Sequence, residues 1–271
     1  HDALPISFPS TNLQRVPAWL TAGAIAAAPM GLIMLQPDLG SALVFVPITV
    51  TLVYLAGIKA RYLVAMALVV LVAAPLVYRF KFRHHQKQRV LTYLQPLLPG
   101  TCYDAVAAFS AGDQTGAGGG RAVAVDDWNA RQSELAVGSG CFYGKGIGRG
   151  TQNTLGFLPR RVAPTDFIFS VIAEETGFLG ALGIILSYSV LLCVSAWIGA
   201  HAKDEFGKYL CGAIAVLFAV HIFINIGMTI RVMPIIGIPL PLVSYGGSVM
   251  ILMLSCVGVL QSIYIHRGEG A

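Results

Sequence analysis

Pro164-Thr165-Asp166-Phe167-Ile168-Phe169-Ser170-Val171-Ile172-Ala173-Glu174-Glu175-Thr176-Gly177 is the point at which a long polar loop returns to strongly apolar sequence, and it brings three carboxylates with it. Acids at the entry to a membrane-spanning segment are costly unless they are solvated, paired or used. Asp166, the first of the three, is the candidate for chemistry.

The surrounding composition sets the class. Of 271 residues, 56% are hydrophobic and only 11% charged, against about 25% charged in a soluble domain, and mean hydropathy is +0.72. The chain reads as an all-α polytopic membrane protein. Net charge is +5, but nothing in the pattern of basic residues suggests a nucleic-acid interface. Residues 1–12 show neither the charged start nor the apolar core of a signal peptide. Because the first residue is His1, the chain is expected to be a fragment or a processed piece.

Working outward from the opening stretch, six segments are long and apolar enough to cross a hydrocarbon core of about 30 Å, which takes roughly 20 helical residues. They run over Pro17–Leu35, Gly40–Gly57, Tyr62–Tyr78, Phe178–Ala200, Tyr209–Ile230 and Val243–His266. All must be helices, since an open strand edge cannot be satisfied in lipid. Lys59 and Arg61 lie in one short turn and Lys203 and Lys208 in another, so both turns are expected on the cytoplasmic side. The same parity puts residues 1–16 inside as a tail, three spans within 17–78, a large extracytoplasmic loop at 79–163, and an entry segment with three more spans in 164–271.

That loop holds eleven of the eighteen Lys and Arg residues against five acids. The positive-inside rule does not count loops of this length, so the excess suggests an anionic ligand or lipid phosphates. Residues 100–127 are rich in Gly, Ala and Asp and read as a mobile insertion. Trp128 to Val137 is expected to form a short amphipathic helix. It leads into Gly138-Ser139-Gly140-Cys141-Phe142-Tyr143-Gly144-Lys145-Gly146-Ile147-Gly148-Arg149-Gly150. Glycines at this density let a backbone approach a ligand closely and aim N–H groups at an anion. The run lacks the spacing of a nucleotide-binding P-loop, and it is either a flexible connection or, through Lys145 and Arg149, a diphosphate site.

Cysteines and carboxylates admit competing readings. Cys193, Cys211 and Cys256 lie in apolar segments, where a thiol is a small hydrophobe, while Cys102 and Cys141 share the polar loop and would pair if it faces an oxidising compartment. No Cys/His spacing fits a metal site. Asp166 is either the N-cap of the following helix or a catalytic group. Were the segment helical, Glu174 would lie about 12 Å further along the axis at 1.5 Å per residue, beyond the roughly 6.5–9.5 Å between the carboxylates of an inverting hydrolase. Glu174 and Glu175 therefore read as supports, with Arg160 and Arg161 among the basic residues available to them. Arg231 either meets an anionic substrate or snorkels as an anchor. Pro234, Pro239, Pro241 and Gly246-Gly247 interrupt the approach to the last span, a break tolerated only where it packs in protein or lines a cavity, so Ser244, Tyr245 and Ser248 are candidates to border a groove.

Several motifs resemble one family. Gln36-Pro37-Asp38-Leu39-Gly40, the Gly-Lys-Gly run, Gly150-Thr151-Gln152, Phe157-Leu158-Pro159, Thr165-Asp166-Phe167-Ile168-Phe169, Ala173-Glu174-Glu175, Asn225-Ile226-Gly227-Met228 and Pro239-Leu240-Pro241-Leu242-Val243-Ser244-Tyr245-Gly246-Gly247-Ser248 resemble the SEDS family (shape, elongation, division and sporulation), nearer to its rod-shape members than to its division members. The resemblance implies a bacterial cytoplasmic-membrane polymerase of about ten helices, of which this chain would be the last six. It would join lipid II units into glycan strands during cell-wall elongation and shape maintenance, with a class B penicillin-binding protein as crosslinking partner.

The resemblance also implies that Asp166 is catalytic and that Asp38 pairs within the helical core. Lys145, Arg149, Gln152, Arg231, Ser244 and Tyr245 are then candidates for substrate binding. The family's usual Glu-x-His before Thr-Asp is replaced here by Arg160-Arg161-Val162-Ala163-Pro164, which removes any role for that His. No cofactor is evident, and a divalent cation, Mg2+ or Mn2+, is held open as an aid to diphosphate departure. Two other classes stand beside the polymerase: a lipid II flippase, and a scaffold for a transpeptidase.

Overall fold

The structure is a computed structural model, and it describes residues 29, 31–33, 39–57, 119–151, 155 and 163–267. Five helices are seen in these parts: α1 Leu39–Leu55, α2 Gly119–Ser139, α3 Ile168–Ala200, α4 Glu205–Thr229 and α5 Gly247–His266. Among the described residues there is no strand. The expected third span, most of the first, Asp38, Cys102, Gln152, Arg160 and Arg161 lie outside the described residues.

Hydropathy and length make α3, α4 and α5 membrane spans. Twenty to thirty-three residues at about 1.5 Å each reach the roughly 30 Å that a bilayer requires. Their burial separates a centre from a rim: a third of the apolar window of α4 is buried, against 11% in α3 and α5. α4 is therefore the hub, and it touches every other described helix. Between α3, α4 and α5 lies a core of Ile198, Cys211, Ile214, Phe218, Met253 and Leu260. Val44 of α1 packs with Ile224 of α4 and Ile238 of the α4–α5 connection. Cys211, expected as a small hydrophobe, is wholly buried.

Outward faces remain apolar. Phe178, Leu179, Leu182, Ile185, Leu186, Val190 and Val194 form an exposed stripe along α3, and Ile251, Leu252, Leu254 and Val259 are exposed on α5. Such surface is expensive in water and ordinary in lipid. At the far end of α3, Trp197 and Tyr264 lie under the Arg267 guanidinium, 4.6 and 3.9 Å from their ring centroids. An aromatic and cationic cluster of this kind suits a membrane–water boundary.

Three expectations are corrected. The helix before the glycine run is longer than Trp128 to Val137, because α2 starts at Gly119, inside the stretch read as an insertion. The helical segment around the fourth span starts at Ile168 rather than Phe178, with a break at Gly177, whose φ of 70° and ψ of −164° lie outside the helical region. The last span starts at Gly247 rather than Val243. The four residues before it turn back on the Asp166 segment, and Tyr245 N–H donates to Pro164 O at 3.0 Å. Cys141 is an exposed free thiol.

Candidate active site

The break at Gly177 shows why the glycine run has its composition. In an unbroken helix the N–H groups of Phe178 and Leu179 would donate to the carbonyls of Glu174 and Glu175. Here those four groups have exchanged partners with the loop. Phe178 and Leu179 donate to Cys141 O and Phe142 O at 2.8 and 3.3 Å, while Lys145 and Gly146 donate to Glu174 O and Glu175 O at 3.0 and 2.9 Å. Each of these four groups thus keeps a partner, as backbone groups at a break in a span require.

This exchange needs the two backbones almost in contact. A Cβ at Gly144 would meet Glu175 O, and one at Gly177 would meet Phe142 O and Gly144 N. Both residues also have positive φ, 76° and 70°, which favours glycine. The N–H groups expected to face an anion are in this respect differently used: those of Lys145 and Gly146 go to helix carbonyls.

Side chains complete the junction. Glu174 is wholly buried, and its Oε1 accepts from Lys145 Nζ at 2.7 Å, Thr151 N–H at 2.8 Å and Thr151 Oγ1 at 2.9 Å. Lys145 Nζ also donates to Thr151 Oγ1 at 2.8 Å. A buried carboxylate is tolerable when it is paired and hydrogen-bonded, and this one is both. Lys145, a candidate for substrate binding, is thus engaged by Glu174. Arg149 is exposed on the same loop and Glu175 is half-buried beside it.

Asp166 sits differently. It lies in the turn ahead of α3, whose N-cap is Phe167 with no capping side chain, so the capping reading of Asp166 does not hold. The turn is fixed by its backbone. Phe167 is wholly buried with Ala163 and Val171 against Ile235. Ser244 Oγ donates to Thr165 O and accepts from Leu240 N–H. Asn225, near the C-terminal end of α4, donates through Nδ2 to Asp166 O at 3.0 Å and to Ile238 O at 2.7 Å.

One amide therefore joins α4 to both irregular segments. Asn225 opens the Asn225-Ile226-Gly227-Met228 motif, and its signal in the sequence is that of a lone carboxamide in an apolar helix, costly unless bonded. Its Oδ1 is buried with no hydrogen-bond partner.

The Asp166 carboxylate faces Gly237. A Cβ built there, at a φ of 78°, would stand 3.6 Å from Asp166 Oδ2, and Gly237 is exposed. Burial pushes the Asp166 carboxyl above its ordinary 3.8, and a hydrogen bond from Thr165 partly opposes that rise. Among the described residues no cation is paired with it. A half-buried carboxylate with a raised pKa, next to an open glycine, suits proton abstraction.

Of the remaining candidates, Ser244 is buried and serves the turn, while the Tyr245 side chain and Ser248 are exposed. Arg231, at a φ of 59° after α4, reaches Glu134 of α2 with 3.6 Å between Nη1 and Oε2. Ser133 Oγ donates to Thr229 O at 3.1 Å nearby, so α2 is bound to the same end of α4. Among the described residues no group of three His, Cys, Asp or Glu side chains could hold a metal ion.

The chain is similar to several known proteins. Peptidoglycan glycosyltransferase MrdB of Escherichia coli K12 is 36% identical over 268 residues, which are 98% of this chain and 63% of the relative. A probable peptidoglycan glycosyltransferase FtsW of Trichlorobacter lovleyi is 35% identical over 239 residues, 86% of this chain and 54% of the relative. Peptidoglycan glycosyltransferase RodA of Treponema pallidum is 30% identical over 290 residues, covering 89% and 66%. The chain thus spans about 63% of the length of the first of these relatives.

The fold is also that of a solved chain from a peptidoglycan synthase complex coordinating polymerization and crosslinking, with a TM-score of 0.67 at 24% identity over 94% of this chain and 64% of that one. The profile of the FtsW, RodA and SpoVE cell cycle proteins matches residues 9–269. The chain is a multi-pass membrane protein and belongs to that family, the SEDS family, on its rod-shape side.

Proposed function

We propose that the protein to which this chain belongs is a peptidoglycan glycosyltransferase of the bacterial cytoplasmic membrane, polymerising lipid II into glycan strands, with Asp166 as its general base. The observation that carries the reading is the Asp166 carboxyl itself. The Asp166 main chain is held by a bond from Asn225 Nδ2 to its carbonyl, and the carboxyl is turned toward an exposed glycine and raised in pKa by burial. The names of the relatives supply the reaction class.

In this reaction the donor sugar is already joined to an isoprenoid diphosphate. Asp166 removes the proton of the attacking sugar hydroxyl as that oxygen bonds to the donor's anomeric carbon. The bond from that carbon to the diphosphate oxygen breaks, and its electron pair leaves with the diphosphate. One base is sufficient once the leaving charge is stabilised. Arg149, exposed near the junction, is a cation available for that charge, and a divalent ion would supply the same charge stabilisation. Glu174 takes no part in proton transfer, because Lys145 and Thr151 hold it.

The partner is proposed to be a class B penicillin-binding protein, since the chain has neither Ser-x-x-Lys nor Lys-Thr-Gly of its own. The test is glycan-strand formation from purified lipid II by the full-length protein with that partner, comparing wild type with Asp166→Ala. The reading requires product to vanish while lipid II still binds. Unchanged polymer would leave the scaffold reading, and movement of lipid II across the bilayer without polymer would favour the flippase.

A further inference from the structure

The tip of the glycine run is apolar where a solvent-facing loop would be polar. Phe142, Tyr143 and Ile147 are 67%, 84% and 86% exposed, and together they add two aromatic rings and a branched aliphatic chain to the surface. The backbone holding them is not loose. Cys141, Gly144, Gly146 and Gly148 take positive φ, and the four bonds at the α3 break fix the loop to residues 174–179. Rigid presentation of large apolar side chains to water is costly, so the tip has an occupant.

Its position identifies that occupant. The Phe142 ring meets the Phe178 ring edge-on, with centroids 5.7 Å apart. Phe178 is in turn the first residue of the exposed stripe that continues through Leu179, Leu182, Ile185, Leu186 and Val190. That stripe belongs to a helix long and apolar enough to cross a membrane, and lipid is the surrounding that such a stripe fits. Phe142 extends it past the break, and Tyr143 and Ile147 are exposed on the same loop. Arg149, exposed there too, adds a cation of the kind that lipid phosphates attract. Apolar residues beside a cation, continuous with a span's lipid face, match a bilayer interface.

We infer that Phe142, Tyr143 and Ile147 form an interfacial anchor inserted into the leaflet on the Asp166 side of the bundle. The anchor needs no particular reaction, and it stands apart from the polymerase reading. Through the exchanged backbone bonds it fixes the α3 break to the membrane surface, from which any lipid-linked molecule would approach.

The test places tryptophan at the tip of the full-length protein in lipid nanodiscs, as Tyr143→Trp and separately Ile147→Trp, and compares each emission with the parent's. In bilayers of lipids brominated in the upper acyl chain, the added emission should fall about twofold, as expected for a side chain lying 5–10 Å into the boundary region. Iodide in the aqueous phase should quench it little. Trp19, Trp128 and Trp197 are common to parent and variant, so subtracting the parent's emission under each condition leaves that of the added tryptophan. If iodide quenches the added emission and brominated lipid does not, the tip lies in water and the inference fails. It fails equally if neither agent quenches, since the tip then packs on protein.

Discussion

Asp166 and Glu174 stand eight positions apart on one segment and have opposite environments. Glu174 is wholly buried, neutralised by Lys145 and further bonded to Thr151. Asp166 is half-buried and faces a glycine, and burial raises its carboxyl with only the Thr165 hydrogen bond against it. Depth of burial alone would select Glu174 instead of the acid proposed above as the base. A fully satisfied carboxylate holds structure, and a reachable one whose charge is poorly compensated is available to move a proton.

The comparison can be broken most forcefully at Lys145. Lys145→Ala leaves the Glu174 carboxylate buried without its cation, a change that costs about 3–5 kcal/mol when a buried pair loses one partner. Thermal unfolding in detergent should show a large fall, and the double variant Lys145→Met with Glu174→Gln should recover much of it. Equal loss in both would mean that the ion pair does not organise the junction.

Gly177→Ala comes next. It imposes roughly 1–3 kcal/mol of backbone strain, and its methyl group would meet Phe142 O. Amide exchange at Phe178 and Leu179 should then accelerate, and unchanged protection there would contradict the exchanged hydrogen bonds.

Asn225→Ala sharpens the other half of the comparison. It removes two bonds to carbonyls, at about 1 kcal/mol each, and releases the Asp166 turn from α4. Polymerase activity should fall further than the melting temperature suggests, with kcat changing more than KM. A loss confined to stability would show that the amide merely packs.

The smallest effect concerns pH. An acid whose ionised form is disfavoured in the folded state costs stability as pH rises from its ordinary range through the raised pKa, and the cost persists above it. Asp166→Asn should therefore melt no lower than wild type at neutral pH. As a base, Asp166 works only when ionised, so the rate should climb with pH through a carboxylate pKa above 3.8. A limb at or below that value would place the titration elsewhere.

Much of this was legible in the sequence, for identifiable reasons. The spans α3, α4 and α5 followed from hydropathy, because lipid imposes length and apolarity on any helix that crosses it. Asp166 stood out as an acid at the edge of an apolar run. The roles of Lys145 and Ser244 were not legible. Each looked like a groove residue, yet one closes on Glu174 from 29 positions away and the other on Thr165 from 79. Contacts at such separations leave no local pattern. Gly177 was hidden for a related reason, since glycine is common in membrane helices and its break becomes necessary only once the loop is seen to dock there.

The most direct test of the central claim is glycan-strand formation from lipid II by the full-length protein and its transpeptidase partner, with Asp166→Asn measured beside Glu174→Gln. The account predicts that Asp166→Asn lowers the rate by roughly 100-fold or more, the usual scale for loss of a general base, without loss of fold. Glu174→Gln, which keeps an acceptor for Thr151, should retain polymerisation in proportion to the protein that remains folded. Polymer from Asp166→Asn at the wild-type rate, or its abolition in folded Glu174→Gln, would contradict the assignment of the two acids.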